Sequence, residues 1–490
     1  MSEKAAIQRL ATGVPGLDAV LGGGIPELSF NLIAGPVGSG KTTLAHQLMF
    51  ALATKERRAL YFTVLGEPPL KMLRYQQQFA FFEPKKVNDL VRFVNLNEEV
   101  TSGNFELVLA RIRKEVAASS PGLVFFDSFR SILLQNAKDP CGPTGPQRFL
   151  QQLGALLSGW EATTFLVGEY AEGDDEAPIF AVADGLILLN QEVSRNSTVR
   201  KLQVLKMRGQ ANRTGKHTFQ ISSAGLQIFP TALVPDDASA SAVAASAHRS
   251  EVRLSMGVPG LDELLGGGLP TGYSLLVAGP SGSGKTVLAT SFLVEGVRLG
   301  QPGVMVAFEQ TPSQSLTRTI DDLVRNGQIG LINSRALDLS IDEVLYRLLQ
   351  EIREKKAVRV VIDSLSGFEL AVAPSFREDF RESLFRMVGV LAGLGVTVLM
   401  TSELEDRYTD LRFSPNGSAF LTDAIIVQRY IEIDSTLRRV MGAVKMRGSN
   451  HSKQLRQYDI TGAGIVIGTT VEGYDGLLSG SPTRIPAASV

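Results

Sequence analysis

Cysteine is almost absent from this chain, and so is any long apolar run. Cys141 is the only cysteine among 490 residues, so neither an intrachain disulfide nor a cysteine-based zinc site can form. No apolar stretch reaches the ~18 residues that a membrane-spanning helix needs. The first ten residues, MSEKAAIQRL, also lack the apolar core of a signal peptide. These absences predict a cytoplasmic protein without a membrane partner.

An excess of charge of either sign is also lacking. The 49 lysines and arginines nearly cancel the 50 aspartates and glutamates. Proteins that bind nucleic acid use clustered positive charge, and those that hold single strands add aromatic side chains along a basic groove. The sequence shows no such groove, so we do not expect a nucleic-acid partner. A hydrophobic content of 44% is sufficient for ordinary globular cores.

A phosphate-binding loop stands in the middle of the chain. Residues 279–286 read GPSGSGKT and fit the G-x-x-x-x-G-K-[ST] pattern, between an apolar strand pattern and a helical one. Glycines let backbone N–H groups approach phosphate oxygens at the N-terminus of a helix. The pattern predicts that Lys285 contacts the β- and γ-phosphates of a nucleotide and that Thr286 ligates Mg²⁺.

The loop is repeated near the N-terminus as GPVGSGKT at 35–42, and GVPGLD at 13–18 recurs at 257–262 with the same offset. Two features that share one offset indicate a tandem duplication. The residues expected to bind nucleotide are Gly35, Gly38, Ser39, Gly40, Lys41, Thr42 and Thr43 in the first copy and Gly279, Gly282, Ser283, Gly284, Lys285, Thr286 and Val287 in the second.

Each copy also contains an apolar run that ends in aspartate, at Asp127 and at Asp363. A buried parallel strand that ends in a carboxylate downstream of a phosphate loop is typical of the Walker B element, which holds Mg²⁺. The predicted metal site is therefore Thr42 with Asp127 in the first copy and Thr286 with Asp363 in the second.

Short strand patterns alternate with helical patterns in both halves, which predicts the α/β class with two mostly parallel, doubly wound sheets. We expect the first domain at 1–230 and the second at 251–470. Between them, 231–250 is rich in Ala, Ser and Asp without periodicity, as is typical of a linker. Residues 471–490 form the expected C-terminal tail.

These residues together resemble the RecA-like P-loop ATPases and, among them, the KaiC family of double-domain circadian-clock ATPases. The resemblance covers nearly the whole chain. It rests on the paired GVPGLD segments, both loops, KMRG at 206–209 and 445–448, and SGSPTRI at 479–485. It implies a homohexamer of two stacked rings, with ATP bound between neighbouring protomers.

The resemblance also implies that Lys206, Arg208, Lys445 and Arg447 reach the γ-phosphate of a neighbouring protomer's ATP, as cations supplied in trans do. The alternative is that these basic pairs are solvated strand ends. The family activates its attacking water with two adjacent glutamates. This chain has Gly66 and Glu67 in the first domain and Glu309 and Gln310 in the second. Glu309 and Glu67 are the catalytic candidates, and we expect hydrolysis chiefly in the second domain, because glutamine and glycine cannot accept a proton.

Phosphorylation is the point at which the sequence departs furthest from the family. A Ser-Thr pair is autophosphorylated in the clock protein, whereas the matching residues here are Ala419 and Phe420, which carry no hydroxyl. Ser418 and Thr422 flank them and stay open as alternative acceptors, but we do not expect autokinase activity. Only five residues follow Ile485, so most of the segment that recruits the clock partner is expected to be missing, and the regulatory protein partner is unidentified.

Three functions fit these patterns. The first is an ATPase whose nucleotide state drives a switch or timer. The second is a scaffold that nucleotide holds together with little turnover, which the Gly66 and Gln310 substitutions favour. The third is a nucleic-acid motor of the same fold, against which the balanced charge argues.

Overall fold

A computed structural model describes residues 7–64, 69–102, 104–128, 152–156, 159–169, 178–194, 197–231, 252–308, 314–333, 339–404, 421–479 and 482–484. The chain divides into two compact units, Met1–Thr231 and Ala232–Val490. Several predictions concern residues outside the described ones: Gly66, Glu67, Glu309, Gln310, Ser418, Ala419, Phe420 and all of the expected linker except Thr231.

The first unit contains a short ribbon and one large sheet. The ribbon pairs β1 (Arg9–Leu10) with β2 (Ile25–Pro26). The sheet consists of β3 (Phe30–Gly35), β4 (Ala59–Thr63), β5 (Val91–Asn95), β6 (Leu123–Asp127), β7 (Thr163–Glu169), β8 (Gly185–Ser194), β9 (Ser197–Met207), β10 (Lys216–Ser222) and β11 (Gly225–Phe229). The helices are α1 (Leu17–Leu21), α2 (Lys41–Leu52), α3 (Pro69–Gln76), α4 (Asn97–Thr101), α5 (Phe105–Ser119) and α6 (Pro178–Val182), with a further helical stretch at 152–156.

The second unit repeats this plan. Its ribbon pairs β12 (Arg253–Leu254) with β13 (Leu269–Pro270). Its sheet consists of β14 (Ser274–Gly279), β15 (Gly303–Ala307), β16 (Ile329–Asn333), β17 (Arg359–Asp363), β18 (Thr397–Glu403), β19 (Ala424–Ile433), β20 (Thr436–Met446), β21 (Arg456–Thr461) and β22 (Gly464–Thr470). The helices are α7 (Leu261–Leu264), α8 (Lys285–Arg298), α9 (Gln314–Arg325), α10 (Ile341–Lys355), α11 (Leu365–Ala371) and α12 (Phe380–Gly393), and β23 (Tyr474–Asp475) pairs with β24 (Thr483–Arg484).

Both sheets have one strand order. The first runs β5-β4-β6-β7-β3-β8-β9-β10-β11 and the second runs β16-β15-β17-β18-β14-β19-β20-β21-β22. In each sheet the first six strands are parallel and the last three are antiparallel. The predicted α/β class, with two tandem, mostly parallel sheets, is therefore confirmed.

The central strand of each sheet is buried on both faces, which explains why its sequence is almost continuously apolar. Along β3, Leu32 and Ala34 join the core on one face, and Ile33 joins the core on the other. Along β14, Leu276 and Leu275 divide between two cores in the same way. Successive side chains on a strand point to opposite faces, so one apolar strand serves both helical layers.

The repeated GVPGLD segment has a structural role. Gly16 and Gly260 precede α1 and α7 with φ of 81° and 85°, a conformation that favours glycine. The aspartate of each segment accepts a backbone hydrogen bond, Asp18 from Thr12 at 2.9 Å and Asp262 from Met256 at 2.9 Å. The motif therefore fixes the turn before the first helix of each unit.

None of the helices that the structure describes combines the length and the apolar character needed to cross a membrane.

Candidate functional site

Each phosphate loop connects the central strand to the helix that follows it. In the first domain Gly38 and Gly40 have φ of 77° and 98°, and in the second Gly282 and Gly284 have φ of 75° and 96°. A Cβ atom on Gly40 would lie 2.7 Å from Ile221 Cδ1, and one on Gly284 would lie 2.8 Å from Ile460 Cδ1. The backbone of both loops can therefore be built only with glycine at these positions.

The lysine of each loop turns its ammonium group back over the loop backbone. Lys41 Nζ donates to Pro36 O at 2.7 Å, and Lys285 Nζ donates to Gly279 O and Pro280 O, both at 2.8 Å. Burial lowers the pKa of Lys41, and the charges of Glu169 and Asp127 oppose this shift. A cation at the mouth of a loop of backbone N–H groups, at a helix N-terminus, suits a phosphate chain.

The remaining loop residues stand where the sequence predicts them. Gly35 and Gly279 end the central strands, and a Cβ atom on them would lie 2.0 Å from Leu189 O and 2.8 Å from Gln428 Cβ, respectively. The side chains of Ser39 and Ser283 are buried. Ser283 donates to Gln428 Oε1 at 2.9 Å. Thr42 and Thr43, like Thr286 and Val287, occupy the first turn of α2 and α8 and are half-buried.

Asp127 and Asp363 lie at the carboxyl ends of their strands, one strand removed from the phosphate-loop strand. Both are almost completely buried, with 7% and 6% exposure. Burial raises the pKa of Asp127, while hydrogen bonds from Tyr61 and Thr42 and the charge of Lys41 oppose the rise. The first domain therefore brings Thr42, Lys41 and Asp127 together as the sequence predicts.

The two aspartates are held by different neighbours, which the sequence did not indicate. Tyr61 on β4 donates its hydroxyl to Asp127 Oδ2 at 2.8 Å. In the second domain Thr401 on β18 donates its hydroxyl to Asp363 Oδ1. Neither Tyr61 nor Thr401 belongs to a recognisable motif, and only the strand register reveals the contacts.

The residues present fit a magnesium ion. Among the residues that the structure describes, His, Cys, Asp and Glu side chains form no cluster of three that could hold a metal by itself. Mg²⁺ needs no such cluster, because it binds through one or two protein oxygens together with water and phosphate oxygens. In the first domain the buried Ser39 Oγ and Thr63 Oγ1 also have no hydrogen-bond partner, and Thr63 lies directly beside Asp127. Thr42 and Asp127, and by analogy Thr286 and Asp363, would hold the ion.

The two catalytic candidates, Glu67 and Glu309, lie outside the described residues. The strands that lead to them end beside the aspartates. Val64 N donates to Asp127 O at 3.2 Å, and Phe308 N donates to Asp363 O at 3.0 Å. Glu309 follows Phe308 directly, whereas Glu67 comes three residues after Val64.

The basic pairs lie away from the phosphate loop of their own domain. Lys206 and Met207 pair with the first residues of β8, and Gly185 of β8 lies beside Asn31 near the start of β3. The phosphate loop follows Gly35 at the other end of β3. At a rise of about 3.3 Å per residue, Asn31, which is level with the basic pair, and Gly35, which precedes the phosphate loop, are roughly 13 Å apart along β3.

The second domain repeats this placement. Lys445 pairs with Ile425, and Ala424 lies beside Leu275 near the start of β14. Each basic pair is tied to the segment that precedes its neighbouring strand, helix α6 with Asp184 in the first domain and residues 422–423 in the second. Lys206 Nζ donates to Ala181 O at 3.2 Å, and Lys445 Nζ donates to Thr422 O at 2.6 Å. Arg208 lies 3.2 Å from Asp184 Oδ1, and Arg447 lies 3.7 Å from Asp423 Oδ1. Burial lowers the pKa of both lysines, and the adjacent arginine of each pair lowers it further.

A cavity of about 480 Å³ adjoins the second loop, a volume within the usual range of small-molecule sites. It is lined by residues of α8, by Thr319 of α9, and by the turn between β21 and β22. Val287, predicted to bind nucleotide, is part of its wall, as are the hydroxyl-bearing Thr290 and Ser291. The cavity therefore begins one residue beyond the predicted magnesium ligand Thr286.

The matching space in the first domain is filled. A Cβ atom on Gly225, in the turn between β10 and β11, would lie 2.5 Å from Gln47 Oε1 and 2.8 Å from Phe81 Cδ1. At the matching Gly464 the nearest atom is Ser291 Oγ at 3.9 Å. Gln47 also bonds both backbone groups of Leu226, which fixes it in this space.

Comparisons with known proteins agree with this geometry. The family model "ATPase: KaiC" matches the chain twice, over residues 10–232 and 254–472. A protein of Parathermosynechococcus lividus named "Circadian clock oscillator protein KaiC" is 28% identical, with coverage of 99% of this chain and 90% of its own length. Proteins of the same name from a Picosynechococcus species and from Prochlorococcus marinus are 27% and 25% identical over 98% of this chain, with 93% and 96% of their own lengths covered.

Proposed function

Because this chain belongs to the KaiC ATPase family and carries its ATPase domain twice, we propose that both domains bind ATP with Mg²⁺ and that the protein hydrolyses ATP to ADP and phosphate. Backbone N–H groups of the loops, with Lys41 and Lys285, bind the phosphates. Thr42 with Asp127, and Thr286 with Asp363, would hold Mg²⁺, which would offset the charge of the phosphate oxygens. In the second domain the base of the nucleotide enters the cavity behind Val287.

The protein assembles into a homohexamer with ATP at the protomer interfaces. One observation carries this proposal. In both domains the basic pair lies level with the amino ends of the parallel strands, whereas the phosphate loop of the same domain follows the carboxyl end of the central strand. Lys206 and Arg208, or Lys445 and Arg447, are therefore badly placed for the nucleotide of their own domain. In a head-to-tail ring the surface that carries the phosphate loop of one protomer faces the surface that carries the basic pair of the next. The basic pair then reaches the γ-phosphate of the neighbour's ATP.

Turnover takes place chiefly in the second domain. Glu309 directly follows the strand that ends beside Asp363, where a carboxylate can orient the attacking water and accept its proton. In the first domain Val64 is followed by Leu65 and Gly66, neither of which carries a carboxylate, so Glu67 has to act from two positions beyond the one that Glu309 occupies. A scaffold that binds nucleotide with little turnover is the second candidate, and Gly66 and Gln310 favour it.

The cycle of ATP binding and hydrolysis serves as a switch or timer for an unidentified regulatory protein in the cytoplasm. The clock oscillator names of the relatives support this role. Autokinase activity is not part of the proposal. Of the acceptors left open by the sequence, Thr422 is fully buried, which opposes access to a γ-phosphate, and Ser418 lies outside the described residues.

The test is the mass of the particle in solution. Light scattering after gel filtration, with and without Mg·ATP, should show a hexamer that depends on nucleotide. Arg447→Ala should shift the equilibrium toward smaller species, because it removes a charge from the interface. Arg438→Ala is the matched control, since Arg438 lies on β20, nine residues before Arg447, which directly follows that strand. A monomer at saturating Mg·ATP would refute the assembly. Phosphate release no higher than that of a Lys41→Ala/Lys285→Ala double variant would favour the scaffold.

A further inference from the structure

The aspartate of the first domain is held within an aromatic stack. Tyr61 is fully buried between His46 and Phe125, with ring centroids 4.7 Å and 5.8 Å away. Its hydroxyl is 2.8 Å from Asp127 Oδ2. Because the neighbouring rings restrict the tyrosine, this hydrogen bond fixes one oxygen of the carboxylate and thereby the direction of the other.

In the second domain the contact comes from the opposite side of the aspartate. Thr401 lies on β18, the strand on the far side of β17 from β15, and its hydroxyl donates to Asp363 Oδ1. Each domain has one of these two hydroxyl groups and an apolar residue at the position of the other. Val167 lies beside Asp127 where the second domain has Thr401, and Met305 lies opposite Val361 where the first domain has Tyr61 opposite Phe125.

We propose that Tyr61 and Thr401 are positioning residues for magnesium, each of which orients the metal-binding carboxylate of its own domain only. The inference rests on the proposed binding of Mg·ATP. Groups that orient a metal ligand typically contribute about 10–100-fold to metal affinity. The two domains thus reach one metal geometry through different side chains.

The magnesium dependence of nucleotide binding tests the two positioning residues, Tyr61 and Thr401, separately. Full-length protein with Lys285→Ala reports the first domain, and Lys41→Ala reports the second. In the first background, Tyr61→Phe should raise the Mg²⁺ concentration for half-maximal binding of a fluorescent ATP analogue about tenfold. Binding in EDTA should stay within twofold, because the hydroxyl acts on the metal and not on the loop. Thr401→Val should have the same effect only in the second background.

Introducing the second domain's hydroxyl group into the first domain distinguishes orientation of the carboxylate from a general effect on packing. Val167→Thr places a hydroxyl beside Asp127 as Thr401 lies beside Asp363, so Tyr61→Phe with Val167→Thr should recover most of the magnesium affinity. The Mn²⁺ signal in electron paramagnetic resonance gives a second readout of metal bound to the nucleotide complex. An unchanged magnesium requirement in Tyr61→Phe, an equal loss of binding in EDTA, or failure of Val167→Thr to recover the magnesium affinity would overturn the inference while leaving the proposed function intact. Absence of nucleotide binding in the parent backgrounds would overturn both.

Discussion

The two domains share a strand order and a phosphate loop, but the first domain stacks a row of aromatic rings against its loop helix α2. His46, Tyr61, Phe125 and Phe165 form a continuous stack whose closest centroids are 4.6 Å and 4.7 Å apart. Phe50 lies 5.1 Å from Phe82 on the same helix face. In the first domain aromatic rings therefore fill the space between α2 and the parallel strands β4, β6 and β7.

In the second domain, hydroxyl groups, open space and the buried guanidinium of Arg359 stand in place of these rings. Thr290 and Val294 stand where the first domain has His46 and Phe50, and both line the cavity. Arg359, where the first domain has Leu123, is fully buried. It donates to Ser255 O and Phe292 O, both at 2.8 Å, and its guanidinium lies 4.5 Å from the Phe292 ring centre. A network of hydrogen bonds thus holds α8, whereas aromatic packing holds α2.

The comparison distinguishes the residues that the fold and the phosphate site require in both domains from the neighbouring residues that differ between them. The glycines, the lysines and the aspartates recur because backbone conformation and phosphate chemistry leave no substitute. The residues that orient the aspartate and fill the space behind the loop differ, because several side chains can satisfy those demands. Functional differences between the domains should therefore arise from these neighbours and from the water-activating position.

The largest effect should come from the catalytic glutamates. Glu309→Gln should lower phosphate release from the second domain by about a hundredfold, the usual minimum loss when a general base is removed, and so remove most of the total release. Glu67→Gln should leave most of the release, because we assign the smaller share of turnover to the first domain. Steady-state phosphate release by the two variants measures the difference. A larger loss with Glu67→Gln would reverse the assignment of the domains.

Loss of one phosphate-loop lysine should empty one domain and leave the other filled. Each loop belongs to a separate sheet, so Lys41→Ala and Lys285→Ala should each halve the nucleotide bound per chain. Equilibrium dialysis with labelled ATP gives the stoichiometry, and the double variant provides the blank. If either single change emptied both sites, the domains would be coupled and the comparison between independent sites would fail.

Alanine at the hairpin glycine should destabilise the first domain more than the second. Gly225 and Gly464 both have positive φ, of 106° and 116°, so alanine strains both by about 1–2 kcal/mol. At Gly225 the new methyl group also meets Gln47 and Phe81, and overpacking adds roughly 1–3 kcal/mol. Trp160, the only tryptophan, reports unfolding of the first domain by fluorescence, and circular dichroism reports the whole chain. Equal costs at both glycines would contradict the difference in packing.

Acid should weaken the first domain through His46, which the second domain lacks. Burial lowers the pKa of His46 to about 3 from its usual 6.5. Above pH 6.5 the histidine is neutral in both the folded and the unfolded state and has no effect. Below pH 6.5 only the unfolded state takes up the proton, so the free energy of unfolding falls by about 1.4 kcal/mol per pH unit. His46→Phe should remove this slope in urea unfolding followed by Trp160 between pH 6 and 4.5, and an unchanged slope would contradict it.

Repetition in the sequence predicts the architecture well, including the position of each phosphate loop between a central strand and a helix. The strand pattern and the helical pattern that flank the second phosphate loop are observed as Ser274–Gly279 and Lys285–Arg298. Local patterns suffice there because strand, glycine turn and helix are contiguous. Tyr61 and Thr401 could not be predicted, since each acts across a strand pairing of distant residues. The filled and open spaces behind the loops also depend on packing between segments far apart in the chain, which no local pattern encodes.

Mixing two inactive variants tests most directly whether the basic pair acts on a neighbouring protomer. Arg447→Ala keeps an intact loop, and Lys285→Ala keeps an intact basic pair, so each alone should release little phosphate from the second domain. In mixed rings about a quarter of the interfaces combine an intact loop with an intact neighbouring arginine, as expected for random head-to-tail assembly. We predict that phosphate release rises toward that fraction of the wild-type rate after mixing with Mg·ATP. Release that stays at the sum of the separate variants, in rings shown to have exchanged protomers, would mean that Arg447 serves its own domain and would contradict the account.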